Sequence, residues 1–159
     1  MELNDWILAL HLLSAFAMVG ALVVFWILIV ASQRIDLPAA TLQLSPVARV
    51  GTVAVGVGSV GTLVFGLWLA ISLDAYQVWD GWVIAAIVLW AVSGETGRRT
   101  GLEYTGAMKR AEELQAAGAT GPSTELLALN RTRTGLLMHS VTTLALLLLL
   151  IDMIWKPGA

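Results

Sequence analysis

The sequence predicts an all-α integral membrane protein: a bundle of four transmembrane helices with a cytoplasmic helical extension between helices three and four. Three observations carry that expectation. Apolar residues make up 58% of the 159 residues and charged residues 13%, against about 45–50% and about 25% in soluble domains. A soluble domain of this size still leaves about a third of its surface in water, which is too much for so apolar a chain. Several uncharged runs approach or exceed the ~20 residues that a helix needs to cross a hydrocarbon core of ~30 Å. Finally, eight of the nine Lys and Arg residues fall in two connections that a four-span chain puts on one side, as expected if basic residues stay cytoplasmic.

The first span runs from about Trp6 to Ala31 without a charge. It does not read as a cleaved signal peptide, because Glu2 and Asp5 lead it in place of a positive segment and its apolar run is too long. A short inner loop bracketed by Pro38 and Pro46 follows, with Arg34 and Asp36 solvating the exit. The second span covers about Val50 to Leu73. The third is the weakest. Trp82 to Val92 is purely apolar, and the span, about 78–96, borrows its flanks. Charge decides in its favour. Arg34 and Arg49 follow span one, and Arg98, Arg99, Lys109, Arg110, Arg131 and Arg133 follow span three. Only Lys156 lies opposite, so both termini are expected outside. Trp6, Trp79, Trp82 and Trp155 then sit near the outer interface, and Arg34, Arg98, Arg99 and Arg133 can snorkel at the inner one.

Segment 97–133 is the only sizeable polar part. Its stretch Ala107–Ala117 is rich in helix formers, Gly118, Gly121 and Pro122 break it, and Ser123 or Thr124 can cap the next helix, which predicts a cytoplasmic helical hairpin that extends spans three and four. The fourth span covers about 135–155. One integral membrane domain over 1–159, in a bacterial inner membrane, is the expected organisation. Its partner by composition is the lipid bilayer, with a second copy or another membrane protein as further partners. The net charge of −2 excludes an ordinary basic nucleic-acid binder. With no cysteine there is no disulfide, thiolate nucleophile, Cys-ligated zinc or iron–sulfur cluster.

Two features in the spans invite a functional reading. The second span carries small residues at a spacing of four: Ala54, Gly58, Thr62, Gly66 and Ala70. Such a stripe lets helix backbones approach closely, or offers a flat wall to a planar cofactor. Two histidines also lie within the spans, where an ionisable side chain is costly and often functional. His11 shares a helical face with Ser14, Ala15, Met18, Leu22 and Phe25, and His139 shares one with Thr142 and Thr143. Either is satisfied by a carbonyl, hydroxyl or water, or binds haem or a metal, or serves proton relay.

Depth limits these options. At 1.5 Å per residue His11 lies about 9 Å below the outer boundary and His139 about 24 Å. Two imidazoles some 15 Å apart in depth do not hold one haem between straight helices. Each could instead serve separately with a second ligand such as a methionine or water, and Met18, about 20 Å deep, comes close to the level of His139. Glu95 lies about 21 Å along span three, so it can meet His139 for proton relay, or simply sit at the inner interface beside Arg98 and Arg99. Asp152, near the outer exit, is expected to be hydrated. There is no Walker-type glycine loop, His-Glu-x-x-His helix or Gly-x-Ser-x-Gly elbow, so no motif assigns enzymatic activity.

The opening Trp6-Ile-Leu-Ala-Leu-His11-Leu-Leu-Ser-Ala-Phe-Ala-Met-Val-Gly20 resembles the first span of small bacterial membrane proteins. These include the copper-resistance D proteins and the HemJ-type protoporphyrinogen oxidases. The segment Leu126–Leu137 and the closing Ile151-Asp-Met-Ile-Trp-Lys-Pro-Gly158 resemble an uncharacterised bacterial family of predicted four-helix integral membrane proteins. The resemblance implies a four-helix bundle, with haem b or copper as candidate cofactors and His11 as the ligand. The third-span lysine of the HemJ-type enzymes has no counterpart in Trp82–Trp90, so no oxidase activity is implied.

Overall fold

An apolar run can place its peptide groups in hydrocarbon only by bonding them to one another, and a helix does so within one segment. The computed structural model of the protein describes residues 2–73 and 77–157. Gly158, the end of the closing motif, lies outside them. Among the described residues all regular structure is helical: α1 (Leu3–Ser32), α2 (Pro38–Gln43), α3 (Ser45–Ser72), α4 (Gly81–Ala116), α5 (Thr124–Asn130) and α6 (Arg133–Trp155). Three stretches are long and apolar enough to cross a membrane, namely Leu3–Ser32, Pro38–Ser72 and Thr124–Trp155. The third of the four long helices, α4, falls short of that measure because its uncharged run ends at Glu95, with Arg98 and Arg99 close behind.

One element follows the sequence expectation and one departs from it. The helix of span three runs on past residue 96, as a helical extension of that span requires. It continues to Ala116, 36 residues in all, or about 54 Å. Glycines at 94, 97, 101 and 106 do not interrupt it. Each costs about 1 kcal/mol against alanine, and tertiary contacts offset that: Gly97 faces Thr142, and Ala107 and Ala111 are fully buried further along. The departure is that Pro38 and Pro46 do not bracket a loop. Pro38 opens α2, where its missing N–H is one that a helix leaves unbonded anyway, and Pro46 lies in the first turn of α3.

The long helices form two antiparallel pairs, α1 with α3 and α4 with α6. Side chains on one face of α1 seat over glycines of α3. Phe25 covers Gly51, Ser14 and Met18 meet Gly58, Ser14 meets Gly61, and His11 lies over Gly66. In the other pair Thr96 bonds Thr142 at 2.7 Å, and Tyr104 packs on Gly135. The pairs join through a core of Met18, Leu22, Ala86, Leu146 and Leu149. Two indoles reinforce the seam: Trp26 Nε1 donates to Thr143 Oγ1 at 2.8 Å, and Trp90 Nε1 to the Ser59 carbonyl at 3.1 Å. The outer faces are apolar and mostly aliphatic, with Phe16, Val23, Ile27, Val57, Val60 and Ile71 all exposed.

Beyond the bundle, α2, the second half of α4 and α5 pack as a cap. Ala107, Ala111 and Leu126 form its centre, flanked by Leu42, Leu114 and Leu129. Ser123 is the N-cap of α5, accepting from the Leu126 amide. Asn130 is buried and donates to the Ile35 carbonyl at 2.9 Å and to Thr41 Oγ1 at 3.3 Å. Arg131 Nε donates to the Gln33 carbonyl, and the Ser123 amide to the Asp36 carbonyl. The connection after α1 is therefore tied to the segment before α6.

The closest approach of backbones is at Gly58. A Cβ added there would lie 2.7 Å from both the Ser14 carbonyl oxygen and the Met18 nitrogen, while one at Gly56 meets nothing within 4 Å. Gly58→Ala is expected to force α1 and α3 apart at a cost of about 1–3 kcal/mol. Gly56→Ala should leave the detergent melting temperature unchanged or raise it. Equal melting temperatures for the two variants would show that α1 and α3 are not in backbone contact.

Candidate functional site

His11 is placed by α1 at the interface with α3 and is half-buried. Its Nδ1 is 3.0 Å from the Thr62 carbonyl oxygen. A carbonyl only accepts, so Nδ1 carries the hydrogen and Nε2 the lone pair. Gly66 makes room for the ring, since a Cβ there would be 2.9 Å from Cε1. Thr62 thus contributes its backbone, and its own Oγ1 is buried without a hydrogen-bond partner among the described residues.

His139 is 3% exposed. Its ring stands edge-on to Trp26 at 4.7 Å between centroids and to Phe25 at 6.5 Å. The Leu22 backbone is its hydrogen-bond partner, and Nε2 has none among the described residues. Thr143 completes the arrangement. Its hydroxyl donates to the His139 carbonyl at 2.9 Å and accepts from Trp26. His139 is therefore enclosed beside aromatic rings, with its Nε2 buried.

The structure does not bring the two histidines together. His139 meets α1 at Leu22, about 16 Å further along that helix than His11 at 1.5 Å per residue. Met18 is buried in the core with Leu22, Ala86, Leu146 and Leu149. Among the described residues no group of three His, Asp or Glu side chains could hold a metal ion. A haem held by both histidines does not fit this arrangement.

Glu95 is not joined to His139 either. Its carboxylate takes Arg98 Nε at 2.9 Å and Arg99 Nε at 2.7 Å on an exposed face of α4. The polar link between α4 and α6 at this level is Thr96 with Thr142. Of the small-residue stripe, Gly58, Thr62 and Gly66 meet α1, Ala70 is buried with Trp82 and Val83, and Ala54 lines an open groove. Asp152 is not hydrated at the exit: it is 8% exposed, and Oδ2 has no hydrogen-bond partner among the described residues.

In the cap, Arg110 Nη2 pairs with Glu125 at 2.8 Å and Nη1 with Glu113 at 3.1 Å, which pushes the guanidinium pKa up. Burial pushes the Tyr104 phenol up, and the Glu103 carboxylate adds to this. The Arg110 ion pairs are exposed, so solvent screening leaves them little weight in stability.

Sequence reasoning placed Thr143 on the face of His139 but missed its aromatic neighbours, Phe25 and Trp26. Trp26 carried a readable signal, because a tryptophan in an uncharged run needs an acceptor for its N–H.

The family described as "Predicted integral membrane protein (DUF2269)" matches residues 5–157. No curated protein and no solved structure matches. Nothing in these comparisons ties the chain to the copper-resistance D or HemJ-type proteins in particular.

The hydrogen bond from Trp26 to Thr143 is open to a double-mutant cycle. Trp26→Phe and Thr143→Val should each destabilise the protein. Their coupling should be about 0.6 kcal/mol, the average for polar contacts between membrane helices, and at most about 1.7 kcal/mol. Additive effects would mean that the contact contributes nothing to the joining of α1 and α6.

Proposed function

We propose that this chain, which belongs to the DUF2269 family of predicted integral membrane proteins, is a structural or accessory subunit of a bacterial inner membrane, built as one four-span domain. The first half of α4 is the third crossing, both termini are outside, and the cap of α2, α5 and the α4 tail is cytoplasmic. The position of eight of the nine basic residues supports this orientation. So does the length of α4, whose ~54 Å exceeds a ~30 Å hydrocarbon core by several turns.

One observation carries the structural role. The face of α1 that holds His11, Ser14, Met18 and Phe25 is occupied along its length by the glycines of α3. The residues that looked functional are spent on joining helices, while the outer faces are apolar and suit lipid or a partner helix.

A second reading rests on His11. An imidazole that donates Nδ1–H to a backbone carbonyl presents Nε2 in the way that metal-bound histidines do. Haem b or copper, bound there by one protein ligand, would supply redox chemistry. The chain's own part would be to orient the ring through Thr62 and Gly66. In this reading the detergent-purified protein shows a Soret or copper absorption band, and His11→Ala removes it while the protein still inserts. If the wild-type protein has no such band, His11→Ala should only cost about 1–3 kcal/mol of stability, with partial rescue by His11→Gln, and the metal reading fails.

Orientation is tested by impermeant thiol labelling of intact cells. A cysteine at Gln77, between α3 and α4, should label from outside. One at Gln115, at the far end of α4, should label only after permeabilisation. Labelling of both from the same side would end the four-span reading.

A further inference from the structure

An open groove of about 510 Å³ runs between α1 and α3, lined by Ala17, Arg49, Val50, Val53, Ala54 and Val57. It exists because Ala17 and Ala54 are too short to fill the space between the two helices, unlike Phe25 over Gly51 and Met18 against Gly58. The valines continue it along α3 for about 12 Å from Arg49 to Val57. Its wall is entirely apolar, Arg49 lending only its methylene stem at the end nearest the start of α3. Arg49 is exposed, and among the described residues no carboxylate or other acceptor holds it.

We propose that this groove binds an anionic phospholipid, its phosphate on Arg49 and an acyl chain along Ala17, Ala54 and the valines. The charge pattern selects that occupant. A guanidinium pairs with a phosphate in two-point geometry, and a saturated chain matches a groove that presents no polar side chain beyond its mouth. A partner helix seated there would need a carboxylate to meet Arg49. The site rests on the membrane layout proposed above, which puts Arg49 at the cytoplasmic boundary, where anionic lipids attract basic residues.

Native mass spectrometry of the full chain in detergent, titrated with phosphatidylglycerol or phosphatidylcholine, tests the site. Phosphatidylglycerol should be retained in preference to phosphatidylcholine. Arg49→Gln should weaken phosphatidylglycerol about fivefold, the effect of one basic residue near an anionic surface, and leave phosphatidylcholine unchanged. Ala17→Leu, which fills the groove, should weaken both lipids. Arg133→Gln, an exposed arginine away from the groove, should change neither, and the far-UV circular dichroism of each variant reports its fold. The proposal is overturned by unaltered phosphatidylglycerol binding in Arg49→Gln, by an equal loss in Arg133→Gln, by no preference between the lipids, or by a change in oligomeric mass in place of lipid loss. Labelling at Gln77 and Gln115 separates the two ideas. If it fails while Arg49-dependent binding persists, the orientation falls and the lipid site stands.

Discussion

The backbone contact between α1 and α3 at Gly58 sets the spacing on which the rest of this protein depends. Between two helices in hydrocarbon there is no hydrophobic drive, because lipid tails are as apolar as the side chains. Association comes from close dispersion contacts, and those need backbones within reach. Gly58 allows α3 to approach the Ser14 carbonyl and the Met18 amide. Once that distance is fixed, larger side chains on either side find matching gaps, Phe25 at Gly51 and His11 at Gly66. The His11–Thr62 hydrogen bond, 3.0 Å long, follows from the same approach. Where the match lapses, at Ala17 and Ala54, a groove opens.

The second pair is assembled differently. α4 and α6 meet through hydroxyls and a phenol ring: Thr96 on Thr142, and Tyr104 on Gly135. Threonine hydroxyls are well suited to this, because each can also bond a carbonyl of its own helix. Thr142 donates to the Met138 carbonyl and Thr143 to the His139 carbonyl. The cost of a polar group in the interior is met locally, and the contact between helices adds to it. Asp152, with a buried Oδ2, is one exception, and His139, with a buried Nε2, is another, neither atom having a hydrogen-bond partner among the described residues. The aromatic enclosure of His139 by Phe25 and Trp26 compensates in part through edge-to-face contact.

The cap joins the ends of the two pairs. Asn130 reaches the Ile35 carbonyl and Thr41, and Arg131 reaches Gln33, so the connection after α1 and the approach to α6 are held as one unit. Leu126, Ala107 and Ala111 give that unit a small apolar centre of its own. A charged, exposed surface surrounds it, with Arg110 between Glu113 and Glu125. This contrast between an apolar outer bundle and a charged cap is the physical content of the division between 97–133 and the rest of the chain.

What the sequence by itself determined was the class of solvent and the helices that it demands. Composition and uncharged run length sufficed for α1, α3 and α6, because backbone satisfaction in hydrocarbon leaves only one local answer. Ser123 as a cap was legible for a similarly local reason. A helical extension of span three was legible as well, but not that α4 passes unbroken through four glycines, since the contacts that offset their cost come from α2, α5 and α6. Nor was the helical state of Pro38–Gln43, whose Thr41 is held by Asn130 from a segment far along the chain. The candidate site divided in the same way. Spacing marked His11, His139 and the stripe at Gly58, Thr62 and Gly66, because a helical period puts residues on one face. Which face meets which neighbour depends on helix order and rotation. Tertiary packing alone sent His11 to a carbonyl of α3, enclosed His139 between Phe25 and Trp26, and turned Glu95 outward onto Arg98 and Arg99.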